Sequence, residues 1–524
     1  MGGANFATSP RIPRYLRVEQ DRIQKIAVDY GLDYFPVIFE MVTYDQMNEI
    51  AAYGGFPNRY PHWRFGMEYE RLAKSTEYGL SKIYELVINN NPSVAYLLEG
   101  NSLTDQKLVM CHVLGHVDFF RNNFMFRSTD LDATGPVVDP SKRSGPSYEP
   151  NRKWIDKMAN HGAIVRRLVD RHGIEKIEAF IDHCLSLENL IDPWAPFVVR
   201  QRAEVEEEEG GSGDVEVPRL RAKEYMENFI NPEEYLEEQK KKMRADREQA
   251  KGKFPKEPLQ DVVSFLLEHA PLERWERSIL EVVRTEAYYF LPQIQTKIMN
   301  EGWASYWHSR LMTEKVCDSS EILDYADNNA AVMATSPGNL NPYKLGVELF
   351  RDIEERWNRG QFGREWEDCD DLDAKKNWDL RLGLGQKKLF EVRSLYNDVT
   401  FIDEFLTPEF AARHKLFTFE WSNRSDRFEV ESREFRRVKE KILFQLTNRG
   451  NPYIYVEDAN YGNRGELLLK HHHAGVDLRA DYARETLASL VRVWKRPVCI
   501  HTIIDGKKAI VRFDGKEHTV KQDS

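Results

Sequence analysis

The sequence predicts a mainly α N-terminal region with aromatic-rich loops, followed by a small α+β C-terminal domain with an antiparallel sheet. Three observations carry this. Apolar residues recur at three- and four-residue spacing through 108–120, 154–193 and 261–314, the period of a helix with one buried face. After residue 448 the pattern changes to alternation, with Asp505-Gly506 as a hairpin signal. Between these helices lie stretches rich in Gly, Pro and aromatics, of which 51–72 is the clearest. The division expected is 1–445 for the helical domain and 446–524 for the C-terminal one.

The chain has 524 residues, 41% of them hydrophobic, enough for a large core and for roughly two to four domains by length alone. Net charge is -11, which argues against a general nucleic-acid binder. No apolar run is long enough to span a membrane, and the N-terminus lacks a signal-peptide or myristoylation pattern. The five cysteines are scattered and form no C-x-x-C, which points to a reducing cytoplasm without disulfides or a structural zinc knuckle.

In chain order, a helix is expected near Val18–Tyr30, then a mixed apolar and acidic stretch through Glu40, Asp45 and Glu49. Residues 51–72 read as an ordered loop, with His62, Glu68 and Glu70 as minor polar candidates and Trp63 and Phe65 as packing. Leu108, Val109, Val113, Val117 and Phe120 mark a helix that Thr104 and Asp105 begin. On it His112 and His116 stand four apart, so their imidazoles project from one face and suit chelation of one metal ion. Position 113 is Val, where an H-E-x-x-H helix has its general base. Gly115 costs about 0.5–1 kcal/mol inside a helix, so something is expected to pack closely against it.

Residues 129–153 read as loop, and 204–214, Glu-Val-Glu-Glu-Glu-Glu-Gly-Gly-Ser-Gly-Asp, as a flexible surface segment. Two or three helices follow over Asp261–Glu314, with breaks expected at Pro271 and Pro292. Glu286 lies in the first part. Glu301 and His308 lie in Asn300-Glu-Gly-Trp-Ala-Ser-Tyr-Trp-His308, seven apart and therefore on one face. A carboxylate among large aromatics needs a cation or hydrogen bonds. Asp324-Tyr-Ala-Asp327 with the following Asn328 and Asn329 is polar enough to reach a site, although a capped helix end is the simpler reading. Phe417–Ser422 and Phe428–Ser432 alternate like strands, and Arg433–Gln445 reads as a helix. In the C-terminal domain Pro452–Val456, Glu466–His473, Pro497–Ile504 and Lys508–Phe513 read as strands, with a helix at Ala480–Lys495. On a strand His471 and His473 face one side and His472 the other, which suits an exposed or interface strand better than a metal site.

His112-Val-Leu-Gly-His116 with Asn300-Glu-Gly-Trp-Ala resembles the SpoVR family (stage V sporulation protein R-like). Tyr60-Pro-His-Trp-Arg-Phe-Gly66, Asn341-Pro-Tyr-Lys-Leu-Gly346 and Asn460-Tyr-Gly-Asn-Arg-Gly-Glu466 extend the likeness over nearly the whole chain. The resemblance implies a cytoplasmic bacterial or archaeal protein linked to spore cortex formation or to envelope and stress physiology. It also implies as partners a PrkA-type serine kinase and a von Willebrand-A-like protein. A looser likeness to gluzincin metallopeptidases implies His112, His116 and Glu301 as ligands of one divalent metal, zinc by its donors. Glu286, His308 and Asp118 are then the candidates for proton transfer. Metal-dependent hydrolysis is the leading expectation, and a non-catalytic regulatory or scaffold protein the alternative. A di-metal carboxylate centre ranks last because the helices carry no Glu-x-x-His.

Overall fold

Helices and sheets follow one another in a computed structural model that describes residues 12–77, 85–131, 150–198, 232, 235, 237–241, 253–334, 340–422 and 427–522. The acidic stretch 204–214, and most of 129–153 and 233–256, lie outside these residues.

Among the described residues, the first unit draws on 12–131, 150–178 and 286–451, and the second on 179–285 and 452–522. The grouping interleaves along the chain, the described residues within 179–285 falling with the C-terminal ones.

The first unit opens with α1 (Arg14–Asp29), β1 (Val37–Val42) and α2 (Tyr44–Ala52). Helix α3 (Trp63–Glu77) occupies the second half of the expected loop 51–72. The breakers end at Pro61, and Gly66 alone does not stop a run of Met67, Glu70, Leu72, Ala73 and Lys74, all good helix formers. Ion pairs Glu68–Arg71 and Glu70–Lys74 at helical spacing support it. Phe65 packs inside as expected, whereas Trp63 is exposed.

Strands β2 (Glu85–Ile88) and β3 (Ser93–Leu98) join β1 in a sheet of order β1-β3-β2, parallel between β1 and β3 and antiparallel between β3 and β2. Helix α4 (Leu103–Asn122) carries the histidine pair. Its cap is Ser102, whose hydroxyl accepts from Asp105 N while the Asp105 carboxylate accepts from Ser102 N. Thr104, the expected cap, is the second residue of the helix. The reciprocal arrangement satisfies two otherwise orphaned donors, which a cap at 104 would not.

Helices α5 (Trp154–His172), α6 (Ile174–Leu185), α7 (Val262–His269), α8 (Arg274–Gln295) and α9 (Lys297–Leu311) follow. Pro292 lies inside α8 and does not break it. The break comes at Thr296, one turn later, where the backbone leaves helical geometry and the Thr296 hydroxyl donates to the Pro292 carbonyl. A proline near a helix end forfeits only one bond before the helix stops anyway. Helices α10 (Ile322–Val332), α11 (Pro342–Arg359), α12 (Gly385–Leu395) and α13 (Asp398–Phe405) complete the core, followed by the hairpin β4 (Thr418–Ser422)/β5 (Arg427–Ser432) and α14 (Phe435–Leu446).

The centre of this unit is α4, α9 and α11, brought together by missing side chains. A Cβ on Gly115 would stand 2.7 Å from Ala304 Cα, and one on Gly302 would stand 2.5 Å from Gly346 Cα. The close approach expected at Gly115 is thus a helix backbone. Around it Trp303, Trp307, Phe350 and Phe390 interlock edge to face.

In the second unit β6 (Tyr453–Tyr461), β7 (Glu466–His472), β8 (Val498–Ile504), β9 (Lys507–Phe513) and β10 (His518–Gln522) form one sheet in order β10-β9-β8-β7-β6. All neighbours are antiparallel except β7 and β8, which run parallel because α15 (Ala480–Trp494) connects them as a crossover. His471 is buried against Thr502, His473 pairs with Asp477, and His472 is exposed. Strand β7 is internal to the sheet, and of the three histidines only His472 is exposed. No helix among the described residues is long and apolar enough to cross a membrane.

Candidate metal centre

Helices α4 and α9 set the site by their close crossing. Asp398 fixes the start of α9, its carboxylate accepting from Ile298 N and Met299 N. Burial pushes this carboxyl up to about 7 despite those bonds. From that start Glu301 and His308 project seven residues apart toward α4, where His112 and His116 stand four apart.

The structure brings three side chains together. The ligand atoms of His112, His116 and Glu301 all lie within 4.8 Å of one another. Glu301 Oε2 is 3.6 Å from His112 Nε2 and 3.5 Å from His116 Nε2. It is buried and has no hydrogen-bond partner among the described residues.

The surrounding amides dictate which nitrogen carries each proton. Asn300 Oδ1 is an acceptor, 2.9 Å from His116 Nδ1, so His116 donates from Nδ1 and its Nε2 bears a lone pair. His308 Nε2 lies 3.2 Å from Asn329 Oδ1 and donates to it. His308 Nδ1 is then an acceptor, and the 2.8 Å bond to His112 Nδ1 takes its proton from His112. His112 therefore also turns Nε2 toward Glu301.

Burial, then the neighbouring His112, pulls His116 down to about 4, and the same two causes pull His308 down to about 3. Both are neutral at pH 7. Burial pushes Glu301 up, but the facing His112 and His116 and the nearby Lys297 outweigh it, and its net shift is downward. A carboxylate oxygen and an imidazole lone pair thus face each other across 3.5 Å, which is repulsive unless a cation lies between them. Two ligands about 2.0–2.1 Å from one tetrahedral ion stand roughly 3.3–3.4 Å apart, so the donors and their spacing fit a divalent metal. The Glu301 side chain is 16% exposed, which leaves an approach from solvent.

The remaining candidates have other partners. His308 is in contact, as the positioner of His112, with both nitrogens engaged. Asp118 lies at the same helix pair, where Arg393 Nη1 donates to both its oxygens and Trp303 Nε1 and Asp33 N donate to it as well. The Glu286 carboxylate pairs with Arg59 at 2.5 Å and His161 at 3.0 Å. None of these partners of Asp118 or Glu286 belongs to the three-residue cluster. Val113 is buried in the core.

Asn300 was not legible as a site residue, although it directly precedes Glu301. Asn329 reaches the site where a helix cap was the simpler expectation. Tyr343, whose ring stacks near His112 at 6.3 Å, gave no signal beyond its Asn-Pro-Tyr motif.

Comparison with known proteins agrees with the motifs. The family described as SpoVR like protein matches residues 12–451, and the SpoVR-like C-terminal domain matches 452–505. An uncharacterized protein of Escherichia coli (strain K12), YcgB, is 30% identical over 509 residues, covering 91% of this chain and 89% of its own. No solved structure matches. With family models spanning nearly all of its length and a relative aligned end to end, the chain belongs to the SpoVR-like protein family.

Proposed function

We propose that the protein is a metal-dependent enzyme in which His112, His116 and Glu301 hold one divalent cation, zinc by the donor set, acting in the cytoplasm in sporulation or cell-envelope physiology. The observation that carries this is the pair of unprotonated acceptors, His116 Nε2 and Glu301 Oε2, buried face to face at 3.5 Å. Three ligands with a solvent approach suit a catalytic rather than a closed structural site. When bound, such a cation supplies Lewis acidity toward water and toward a carbonyl or phosphoryl oxygen.

The chain's own residues do the orienting. Asn300 holds His116, and Asn329 holds His112 through His308, so both imidazoles present Nε2 without rearrangement. With Val113 in place of a glutamate, the site favours a hydrolase of another kind than the H-E-x-x-H peptidases.

The engagement of Glu286, Asp118 and His308 with other partners supports a second reading. In it the metal only clamps α4 to α9, in a non-catalytic scaffold acting with a PrkA-type kinase and a von Willebrand-A-like protein. Cobalt substitution separates the two readings. A visible spectrum that shifts when a small anion is added marks an exchangeable coordination position and supports the enzyme. A spectrum indifferent to anions excludes it.

A further inference from the structure

The C-terminal sheet has one closed face and one that is open over part of its area. Ile454, Val456, Leu467, Leu469, Ile500 and Val511 are buried, on the side where Leu487, Leu490 and Val493 of α15 are buried as well. The alternate residues form the other face, which is covered at Glu466, Leu468 and Cys499 and open toward the opposite end of these strands. One register row crosses all five strands as Tyr455, Lys470, His501, Ile510 and Lys521. Beside it lie the pairs Tyr453–His472 and Ile503–Lys508. None of these nine residues is buried, and Lys470, His472, Lys508 and Lys521 are exposed.

The charge of this face is one-sided. Glu457 is held by Lys253 and His501, and Glu466 by Arg464 and Arg512. Lys470 also acts on Glu457 through space, while Lys508 and Lys521 make no ion pair among the described residues. The patch is therefore cationic within a chain of net charge -11, and its complement is an anionic partner. Tyr453 and Tyr455 stand two apart on β6, about 6.6–6.8 Å along the strand. Across from them on β7 are His472 and Lys470. Flat rings alternating with cations match a partner that repeats a flat ring and an anion, whereas an acidic peptide has the anions without the rings.

We propose that this open face binds single-stranded nucleic acid, bases stacking on Tyr453 and Tyr455 and phosphates meeting Lys470, Lys508 and Lys521. The proposal is independent of the metal centre. The acidic remainder of the chain restricts contact to a short strand, which reconciles the site with the net charge.

The test is fluorescence anisotropy with full-length protein and labelled twelve-nucleotide oligo(U) and oligo(dT), beside a duplex of the same length and a poly-glutamate peptide. Binding of either single strand is expected, preferred over duplex and peptide. Each Tyr→Ala change at 453 or 455 should weaken it about tenfold, while Tyr→Phe retains it. Lys470→Gln and Lys508→Gln should each lower the salt dependence by about one phosphate contact. The proposal is overturned by no single-strand binding at low salt, by equal binding of poly-glutamate, or by affinity indifferent to the tyrosine changes in protein whose circular dichroism is unaltered.

Discussion

Two carboxylates sit at the crossing of α4 with α9, and they are used in opposite ways. Asp118, on α4, meets Arg393 with both oxygens, with Trp303 Nε1 and Asp33 N completing its shell at 2.7–2.8 Å. Glu301, on α9, faces two imidazole nitrogens at 3.5 and 3.6 Å, too far for good hydrogen bonds. Asp118 is fully buried and the Glu301 side chain 16% exposed, but exposure alone does not explain their roles. The difference lies in the proton inventory. Around Asp118 every oxygen meets donated protons. Around Glu301 the Nδ1 atoms of His116 and His112 are engaged elsewhere, with Asn300 and His308, and the neutral His116 turns a lone pair toward the carboxylate.

That contrast gives predictions that differ in size. Gly302→Val or Gly346→Val should be the most damaging, because a Cβ on Gly346 would stand 2.2 Å from Ile298 O. Losses of about 3 kcal/mol or more are expected in denaturant titrations, or no folded protein at all. Such variants remove the frame that both carboxylates share.

Asp118→Asn comes next. It leaves the buried Arg393 without its counter-charge and should cost about 3–5 kcal/mol, with metal content per folded molecule unchanged. Glu301→Gln should do the reverse, altering the stability of metal-free protein by no more than about 1 kcal/mol while abolishing metal uptake. Equal destabilisation by the two would erase the distinction between them.

Smaller effects test the proton inventory. Asn300→Ala and Asn329→Ala should weaken metal affinity roughly 10–100-fold with the fold intact, measured by competition with a chromophoric chelator. Lower still is the pH effect on metal-free protein. His116 and His308 titrate near 4 and 3 when folded, against about 6.5 unfolded. Below pH 6.5 the unfolded chain therefore binds more protons, and stability falls as pH drops from 6.5 toward 4. The slope expected is about 1.4 kcal/mol per pH unit for each histidine, and His116→Gln should flatten it.

Much of this was legible in the sequence where one local rule acts alone. Helical spacing gave α4 and α9 and put His112 with His116, and Glu301 with His308, on shared faces. Alternation gave four of the five C-terminal strands and the hairpin β4/β5. What was not legible depended on context. Residues 63–77 were hidden by Gly66 and neighbouring prolines, although ion pairs at helical spacing carry the helix. The end of α8 was misplaced at Pro292 because a proline a turn from a helix end is tolerated. The parallel pairing of β7 with β8 follows from α15 crossing between them, which strand patterns alone do not state. Asn300 and Asn329 matter only through the tautomers they impose, and tautomers are decided in three dimensions.

The central claim is that Glu301 and the two histidines are arranged for a cation. It is tested most directly by elemental analysis of protein purified without chelator, wild type beside Glu301→Gln and Asp118→Asn. About one zinc per wild-type chain, absent from Glu301→Gln and retained by the folded fraction of Asp118→Asn, is the result expected. Wild-type protein that carries no metal and takes up none when zinc is added would contradict it.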